Sequence, residues 1–256
     1  MKMEDIGKKS PYYEFCPNKK CLTDVQRIGV MTTYVFLKVK ADKNNEQGEY
    51  FLMWLSDKLF KMHQKGKRKG QNNRITLDEA YKNYLDEHIG NYKYWNTLDN
   101  VKGLKEANLR HMNEFYKLLN SICKTIVIYN PKSAENSKNF IINSTESFNQ
   151  YMPLYQNVSK CDSYLHLLDN LKKTYEKFRT TINNGDSKLA SSLQTLTTID
   201  GKDSYFSTSF STFDFSNSKC QSEYDDDILK KWKETQDRRE QKNNEDNGDN
   251  NPQSPK

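Results

Sequence analysis

Apolar residues recur at intervals of three and four along several segments, the spacing that places side chains on one face of an α-helix. The most regular segment, Leu109–Ile126, carries Cys123 on its predicted apolar face. Glu49–Met62 repeats the pattern, and Cys161–Ile182 alternates the two intervals as a coiled-coil seam does, so a partner helix must cover it. The sequence therefore predicts a mainly α-helical fold.

Polar residues mark where several of these helices begin and end. Thr76–Glu79 has the form of a capping box in front of a further short helix. Thr23 and Asp24 offer an N-cap for Val25–Val39, whose periodicity does not decide between helix and strand; we predict a helix. Asn183–Gly185 predicts the end of the helix that begins near Cys161.

The remaining segments lack a helical period. Asn130–Lys160 is rich in Asn and Ser, which predicts a loop with a short helix at Phe148–Tyr155. Beyond Ile182 the composition shifts toward Ser, Thr and Phe, and four aromatic residues there are predicted to pin an irregular extension to the core: Phe206, Phe210, Phe213 and Phe215. From Glu223 onward apolar residues nearly vanish, which predicts a charged, Asn-rich low-complexity linker over 223–256.

The chain is basic, with 40 Lys and Arg against 34 Asp and Glu, a net charge of +6. Residues 223–256 hold 10 acidic and 7 basic residues, which leaves 33 basic and 24 acidic residues, or +9, in the rest. The densest basic cluster is a candidate anion-binding loop, formed by Lys65, Lys67, Arg68, Lys69 and Arg74. Because no exposed aromatic residues are interleaved with it, a solvated loop is the simpler interpretation.

Motifs of catalysis and metal binding are missing from the sequence. Neither a glycine-rich nucleotide loop nor a G-x-S-x-G or H-E-x-x-H pattern occurs, and Asp225–Asp227 lacks the spacing of an EF-hand. Four isolated histidines are predicted to lie on the surface or at helix caps: His63, His88, His111 and His166. We therefore expect no catalytic residue, no metal and no cofactor.

Membrane insertion and secretion leave no signal either. The longest apolar patch, Tyr50–Leu55, is far shorter than the roughly 18 to 20 residues that span a bilayer, and Met1–Ser10 has no apolar centre. The chain is then either cytosolic or a trimmed piece of a longer protein.

Cys16 and Cys21 surround a Pro-Asn turn, which a short disulfide could close.

Four stretches are distinctive as a set: Phe15-Cys-Pro-Asn-Lys-Lys-Cys-Leu-Thr, Glu49-Tyr-Phe-Leu-Met-Trp-Leu-Ser-Asp-Lys-Leu, Phe115-Tyr-Lys-Leu-Leu-Asn-Ser-Ile-Cys and Cys161-Asp-Ser-Tyr-Leu-His-Leu-Leu-Asp-Asn-Leu-Lys-Lys-Thr-Tyr. In order and spacing they resemble the Plasmodium interspersed repeat (PIR) family, particularly its rodent-parasite members. Leu193–Phe206 and Phe213–Cys220 also look like that family, so the resemblance covers roughly residues 11–222.

The resemblance implies a non-catalytic variant antigen of the malaria parasite, displayed on or exported to the infected erythrocyte, with roles in host interaction and immune evasion. It implies a polar leader at 1–10, a disulfide-supported helical ectodomain with long polar loops at 11–222, and a linker at 223–256 toward a transmembrane helix that this chain stops short of. The expected partners are a host cell-surface or serum protein and antibodies, with no nucleic acid. Variation and receptor contacts are expected in two loops, Lys65–Asn73 and Asn130–Asn149.

The resemblance also implies that the cysteines are structural disulfide partners in an oxidising environment, namely Cys16, Cys21, Cys123, Cys161 and Cys220. The N-terminal cysteine usual in the family is not found here, so one of the five thiols would stay unpaired. The connectivity is open. We favour Cys123 with Cys161, because each lies at the end of a strong helix.

Two other function classes remain. One is a cytosolic, basic helical protein that binds nucleic acid or anionic lipid, favoured by the +9 body and the basic residues from Lys58 to Arg74. Reduced cysteines would be its signature. The other is an enzyme, which would need a site assembled from residues scattered along the sequence.

Overall fold

The computed structural model describes residues 14–42, 45–66, 74–89, 93–98, 101, 103–129, 136–198, 200–206 and 213–248. This part of the chain forms eight α-helices and no β-strand, which confirms the mainly α-helical prediction. The helices are α1 Asp24–Val39, α2 Asn45–Gly66, α3 Leu77–Tyr84, α4 Leu109–Ile128, α5 Asn136–Val158, α6 Asp162–Asn183, α7 Ser187–Ser191 and α8 Asp226–Gly248. None of these helices combines the length and apolar content that crossing a bilayer requires.

Side-chain caps fix the starts of the helices as the sequence predicts. The Thr23 hydroxyl accepts from the Gln26 amide and the Gln26 side chain accepts from the Thr23 amide, so a reciprocal capping box opens α1. Thr76 and Glu79 form the same arrangement in front of α3. These caps satisfy amides that a helix start otherwise leaves without partners. The predicted stop after Asn183 is also confirmed.

Helix α4 lies at the centre of the core, packed against α2 on one side and α5 on the other, while α6 contacts both α4 and α5. Its buried face carries Phe115, Leu118 and Ile122, each fully buried. The predicted stripe was wrong about Cys123, which is exposed. One residue turns a helix by about 100°, so the buried face is displaced from the predicted one by about that angle at the end of the helix.

Helix α5 replaces most of the loop predicted over 130–160. Its inward positions step by four and three residues: Phe140, Ser144, Ser147, Tyr151, Leu154 and Val158. Two of these are serines, so the helical period is hidden when only apolar residues are counted. Ser144 shares a 2.7 Å hydrogen bond with the Tyr175 hydroxyl of α6. Short serine side chains let neighbouring helices approach closely and use the hydroxyl to pair a buried polar group.

Helix α1 is held by a close backbone contact and by an aromatic cluster. Gly29 lies against the carbonyl group of His88, so closely that a Cβ at this position would overlap the carbonyl oxygen. Phe36 is buried and stacks on Tyr94 with ring centroids 4.8 Å apart, and the Tyr94 hydroxyl donates to Thr32 at 2.8 Å. Five consecutive residues, Gly29–Thr33, are buried, so the middle of α1 is enclosed, whereas residues 37–40 at its end are exposed.

The C-terminal strap comprises the described residues 193–198, 200–206 and 213–225, which run along α6 in the opposite direction. The Tyr175 hydroxyl donates to the Gln194 carbonyl, and the Phe206 amide donates to the Asp169 carboxylate. Nearer the start of α6, the Ser163 hydroxyl both accepts from the Asp214 amide at 2.9 Å and donates to its carbonyl at 3.2 Å. The strap is thus tied to α6 at Ser163, Asp169 and Tyr175 of the helix.

The aromatic residues of the strap pack as predicted wherever they can be described. Phe215 is buried in the core, and Phe206 and Phe213 pack against it half-buried. Phe210 lies outside the described residues. These contacts confirm that three of the four predicted anchors fix the extension to the helical body.

Helix α8 occupies much of the segment that the sequence assigned to an irregular linker. The indole of Trp232 packs against Phe148 and donates to Asn149 at 3.3 Å, both on α5. Ile228, Leu229 and Trp232 are its half-buried apolar residues, while most of its other described side chains are exposed. A helix with so narrow an apolar stripe resembles a solvated linker in composition, which explains the difference. The predicted domain limits at 10 and 222 stay predictions.

Candidate interaction surface

Two disulfides connect four of the five cysteines. Cys16 and Cys21 form the short bridge that the Pro-Asn turn predicted, with Cα atoms 5.2 Å apart. Cys161 pairs with Cys220 across 59 residues of sequence, and both are buried beneath the strap. The predicted pair of Cys123 with Cys161 is wrong, because Cys161 faces the strap whereas Cys123 is exposed on α4. Cys123 is the unpaired thiol that the odd count implied.

The free thiol of Cys123 has no activating environment. Desolvation by neighbouring side chains raises the pKa of Cys123 although the residue is exposed. A raised pKa leaves the thiol protonated at neutral pH, whereas nucleophilic cysteines need a lowered pKa. Its surroundings therefore do not equip Cys123 as a nucleophile.

The candidate anion-binding loop is described only at its two ends. Lys65 is exposed near the end of α2, and Arg74 lies 3.4 Å from the carboxylate of Glu223 on the strap. Lys67, Arg68 and Lys69 lie outside the described residues. Glu223 offsets part of the charge of Arg74, so anion binding at this loop stays a prediction.

A polar cleft of about 370 Å³ lies where the end of α2, the start of α4 and the end of the strap meet. It is lined by Phe60, Gln64, Asn108, Arg110, Glu223, Tyr224 and Asp226. The Arg110 guanidinium lies over the rings of Phe60 and Tyr224, at 5.0 and 5.1 Å from their centroids. It also donates to Asp226 at 2.6 Å.

The guanidinium of this cleft pairs with carboxylates of the protein itself. Arg110 lies 3.3 Å from the carboxylate of Glu114 as well as binding Asp226. Next to the cleft, Asn157 accepts from the Asp225 amide at 2.7 Å and donates to the Asp225 carbonyl at 3.4 Å. The cleft therefore serves to fasten the end of the strap and the start of α8 to the helical body.

Two of the four histidines are buried, which corrects the predicted surface or capping positions for them. His63 contacts the Tyr84 hydroxyl at 3.0 Å, and His111 stacks on Tyr164 with ring centroids 5.0 Å apart. Burial, and then the charge of Arg110, lowers the pKa of His111 to about 4, so this imidazole is neutral at physiological pH. His88 and His166 are half-buried.

Titratable side chains in the described part of the chain do not gather into a metal site, and one lysine among them is fully buried. No group of three or more His, Cys, Asp or Glu side chains there could hold a metal ion. Lys172 of α6 is fully buried, with its ammonium 2.8 Å from the Asp203 carboxylate and 2.9 Å from the Ser204 carbonyl. Sequence reasoning missed this residue, since a lysine beside Lys173 gives no sign that it points inward.

One comparison with known proteins gives a result. The family model described as Plasmodium variant antigen protein Cir/Yir/Bir matches residues 2–223, a range that contains α1 to α7 and nearly all of the strap. No curated protein and no solved structure matches the chain.

Proposed function

The chain belongs to the Plasmodium variant antigen family Cir/Yir/Bir, and from this premise we propose that it is displayed on or exported to the infected erythrocyte, where it contacts host molecules and evades immunity. The observation that carries the proposal is the family match over α1 to α7 and most of the strap. The partners we propose are a host cell-surface or serum protein and antibodies.

The way the body is held together supports this role. Buried disulfides are typical of oxidising environments outside the cytosol, and Cys161–Cys220 fastens the strap near its end to the start of α6. A core held in this way tolerates surface substitutions, because exposed side chains contribute little to packing. Antigenic change could therefore proceed on the outside while the fold stays the same.

The two surfaces proposed for variation differ in kind. The connection between Lys65 and Arg74 remains a candidate loop. The second candidate, Asn130–Asn149, coincides from residue 136 with α5, where exposed Ile142 and Glu146 alternate with buried Ser144 and Ser147. Variation in α5 would thus be confined to outward positions of the helix.

A non-catalytic role is the other part of the proposal. Two of the buried titratable groups have structural contacts: His111 stacks in the core, and Lys172 ties the strap to α6. The cytosolic alternative gains no specific support, since the basic cluster near α2 is partly offset by Glu223 and two disulfides form.

Display can be tested on intact infected erythrocytes with antibodies raised against the oxidised chain. We expect staining without permeabilisation and its loss after brief trypsin treatment of intact cells, while a parasite cytosolic protein stains only after permeabilisation. Staining confined to permeabilised parasites would contradict display and favour the cytosolic alternative.

Host contact needs a separate measurement. Fluorescent oligomers of the oxidised chain should bind erythrocytes or leukocytes in a saturable way, and unlabelled chain should compete. The same chain reduced and alkylated is the control, because it loses the bridges that hold the strap. Absence of saturable binding to all host cells would oppose the interaction while leaving display intact.

A further inference from the structure

An open groove lies between the last two turns of α1 and the first half of α2. Its volume is about 630 Å³, and most of its lining is apolar. The residues that line it are Val35, Lys38, Val39, Lys40, Gln47, Tyr50, Phe51 and Trp54. The volume falls in the range of roughly 300 to 1,000 Å³ that is usual for binding pockets.

The rim of the groove exposes apolar side chains that no described element of the chain covers. Val39, which lines the groove at the end of α1, is 37% exposed. Trp54 and Val35 are half-buried, so their rings and methyl groups form the floor. Apolar surface gathered in one concave place is typical of interaction sites.

The charges of the groove have one sign. Its lining includes two lysines, Lys38 and Lys40, and no carboxylate. Both lysines are exposed, and neither forms an ion pair with any described residue. Lys38 lies 5.6 Å from the centroid of the Tyr34 ring, and the nearby Glu46 carboxylate accepts from the Tyr50 hydroxyl. An anionic partner would therefore meet two cations that no carboxylate among the described residues neutralises.

We propose that this groove binds an acidic amphipathic α-helix of a host protein. The proposal rests on the proposed host interaction and specifies the chemistry of the partner. Apolar side chains on one face of the incoming helix enter between Val39 and Trp54, and Asp or Glu residues flanking that face pair with Lys38 and Lys40.

The dimensions of the groove favour a helix as the occupant. Its two walls are themselves helices, and the α2 wall from Gln47 to Trp54 is about 10 Å long at 1.5 Å per residue. A third helix laid between two others presents a ridge of side chains three and four residues apart. Two turns of such a helix place apolar residues at i, i+4 and i+7 along this wall.

The test uses two labelled peptides and the full oxidised chain. One is a helical peptide of about 18 residues with leucines at i, i+4, i+7 and i+11 and glutamates on both flanks; the other replaces every glutamate by lysine. Fluorescence anisotropy should show that the acidic peptide binds about tenfold more tightly than the basic one. Hydrogen exchange with the acidic peptide bound should slow at residues 35–40 and 47–54.

Variants locate the binding. Lys38→Glu with Lys40→Glu should weaken the acidic peptide about tenfold, and Val39→Asp should weaken it at least as much. Lys38→Gln with Lys40→Gln, which adds no negative charge to the last turn of α1, should give an intermediate loss. The matched control is Lys177→Glu with Lys188→Glu, two exposed lysines on α6 and α7, which should leave binding unchanged.

Either of two results would overturn the groove proposal: equal affinity of the two peptides, or an equal loss in the control variant, which would indicate general electrostatic attraction. Host-cell binding separates this proposal from the proposed function. Groove variants that bind host cells as well as the wild type would reject the groove and leave the function standing. Peptide binding at the groove without host-cell binding would reject the function and leave the groove standing.

Discussion

The two outer helices of the body, α6 and α1, are held in different ways. The strap covers α6, ties it by hydrogen bonds at successive turns and closes the contact with Cys161–Cys220. Helix α1 is packed through its middle, by Gly29 and the cluster around Phe36, and is left open along its last two turns, where the groove lies. The covered helix contributes to stability, whereas the open one keeps surface available for a partner.

The largest loss of stability should come from removing the disulfide that joins the strap to α6. Cys161→Ser with Cys220→Ser should lower the free energy of unfolding by about 4 kcal/mol, because the bridge closes a 59-residue separation. Urea unfolding followed by circular dichroism measures it. Cys16→Ser with Cys21→Ser is the control and should cost about 2 kcal/mol, since its loop is short. Equal losses would show that loop length does not set the difference.

The stability of the strap side should also depend on pH, through the protonation of His111. The pKa of His111 is about 4 in the folded protein against its ordinary 6.5, so the unfolded chain binds more protons between these values. Stability should therefore be fully present above pH 6.5 and fall by up to about 3 kcal/mol as the pH drops to 4.

Replacing the imidazole tests this dependence. His111→Phe should flatten the stability profile between pH 4 and 6.5 relative to the wild type, and His88→Phe, at a half-buried site, should leave the difference intact. Unfolding in urea at several pH values measures both. An unchanged slope in His111→Phe would assign the pH dependence to other groups.

On the α1 side, a substitution at Gly29 should destabilise the fold. Gly29→Ala places a methyl group against the backbone carbonyl of His88, which has to move, and should cost about 2 kcal/mol. Gly66→Ala, at the end of α2 with no atom within 4 Å of the added methyl, is the control and should be neutral or slightly stabilising. Thermal melts compare the two. Similar melting temperatures would show that the contact at Gly29 is not tight.

The smallest expected effect concerns the hydrogen bonds that hold the strap to α6. Ser163→Ala removes both hydrogen bonds to Asp214 and should cost about 1 kcal/mol, with faster hydrogen exchange at residues 213–216. Ser159→Ala, at an exposed serine just after α5 whose hydroxyl donates to the Gln156 carbonyl, should change neither quantity. If exchange at 213–216 stays slow in Ser163→Ala, the disulfide alone holds this part of the strap.

Regular apolar spacing made most of the helices predictable, and short polar side chains concealed the rest. The buried faces of α2, α4 and α6 carry enough large apolar residues to show the helical period, and the caps at Thr23 and Thr76 are local signals. Only the part of α5 at Phe148–Tyr155 was predicted, because Ser144 and Ser147 occupy the buried seam of the first part. Sequence spacing shows which residues share a face of one helix, but long-range contacts decide which face is buried.

The difference between local and long-range contacts also explains which sites could be predicted. The short bridge of Cys16 with Cys21 is local and was foreseen, whereas the partner of Cys161 depends on where the strap returns along α6. Buried Lys172 and His111 have no local signal, since their burial comes from residues far away in sequence. The groove could not be foreseen either, because the pattern of Val25–Val39 leaves its exposed side undefined.

The bridge between Cys161 and Cys220 also decides how the body bears mechanical load. A pull on residues beyond 220 first strips α8 from α5, and the force then passes through the sulfur atoms straight to the start of α6. Helices α6 and α7 and the strap between the two cysteines are bypassed, so roughly 200 Å of chain cannot be drawn out while the bridge is intact. Tension on the C-terminal side would reach α5 and α4 while leaving the covered side of the body folded.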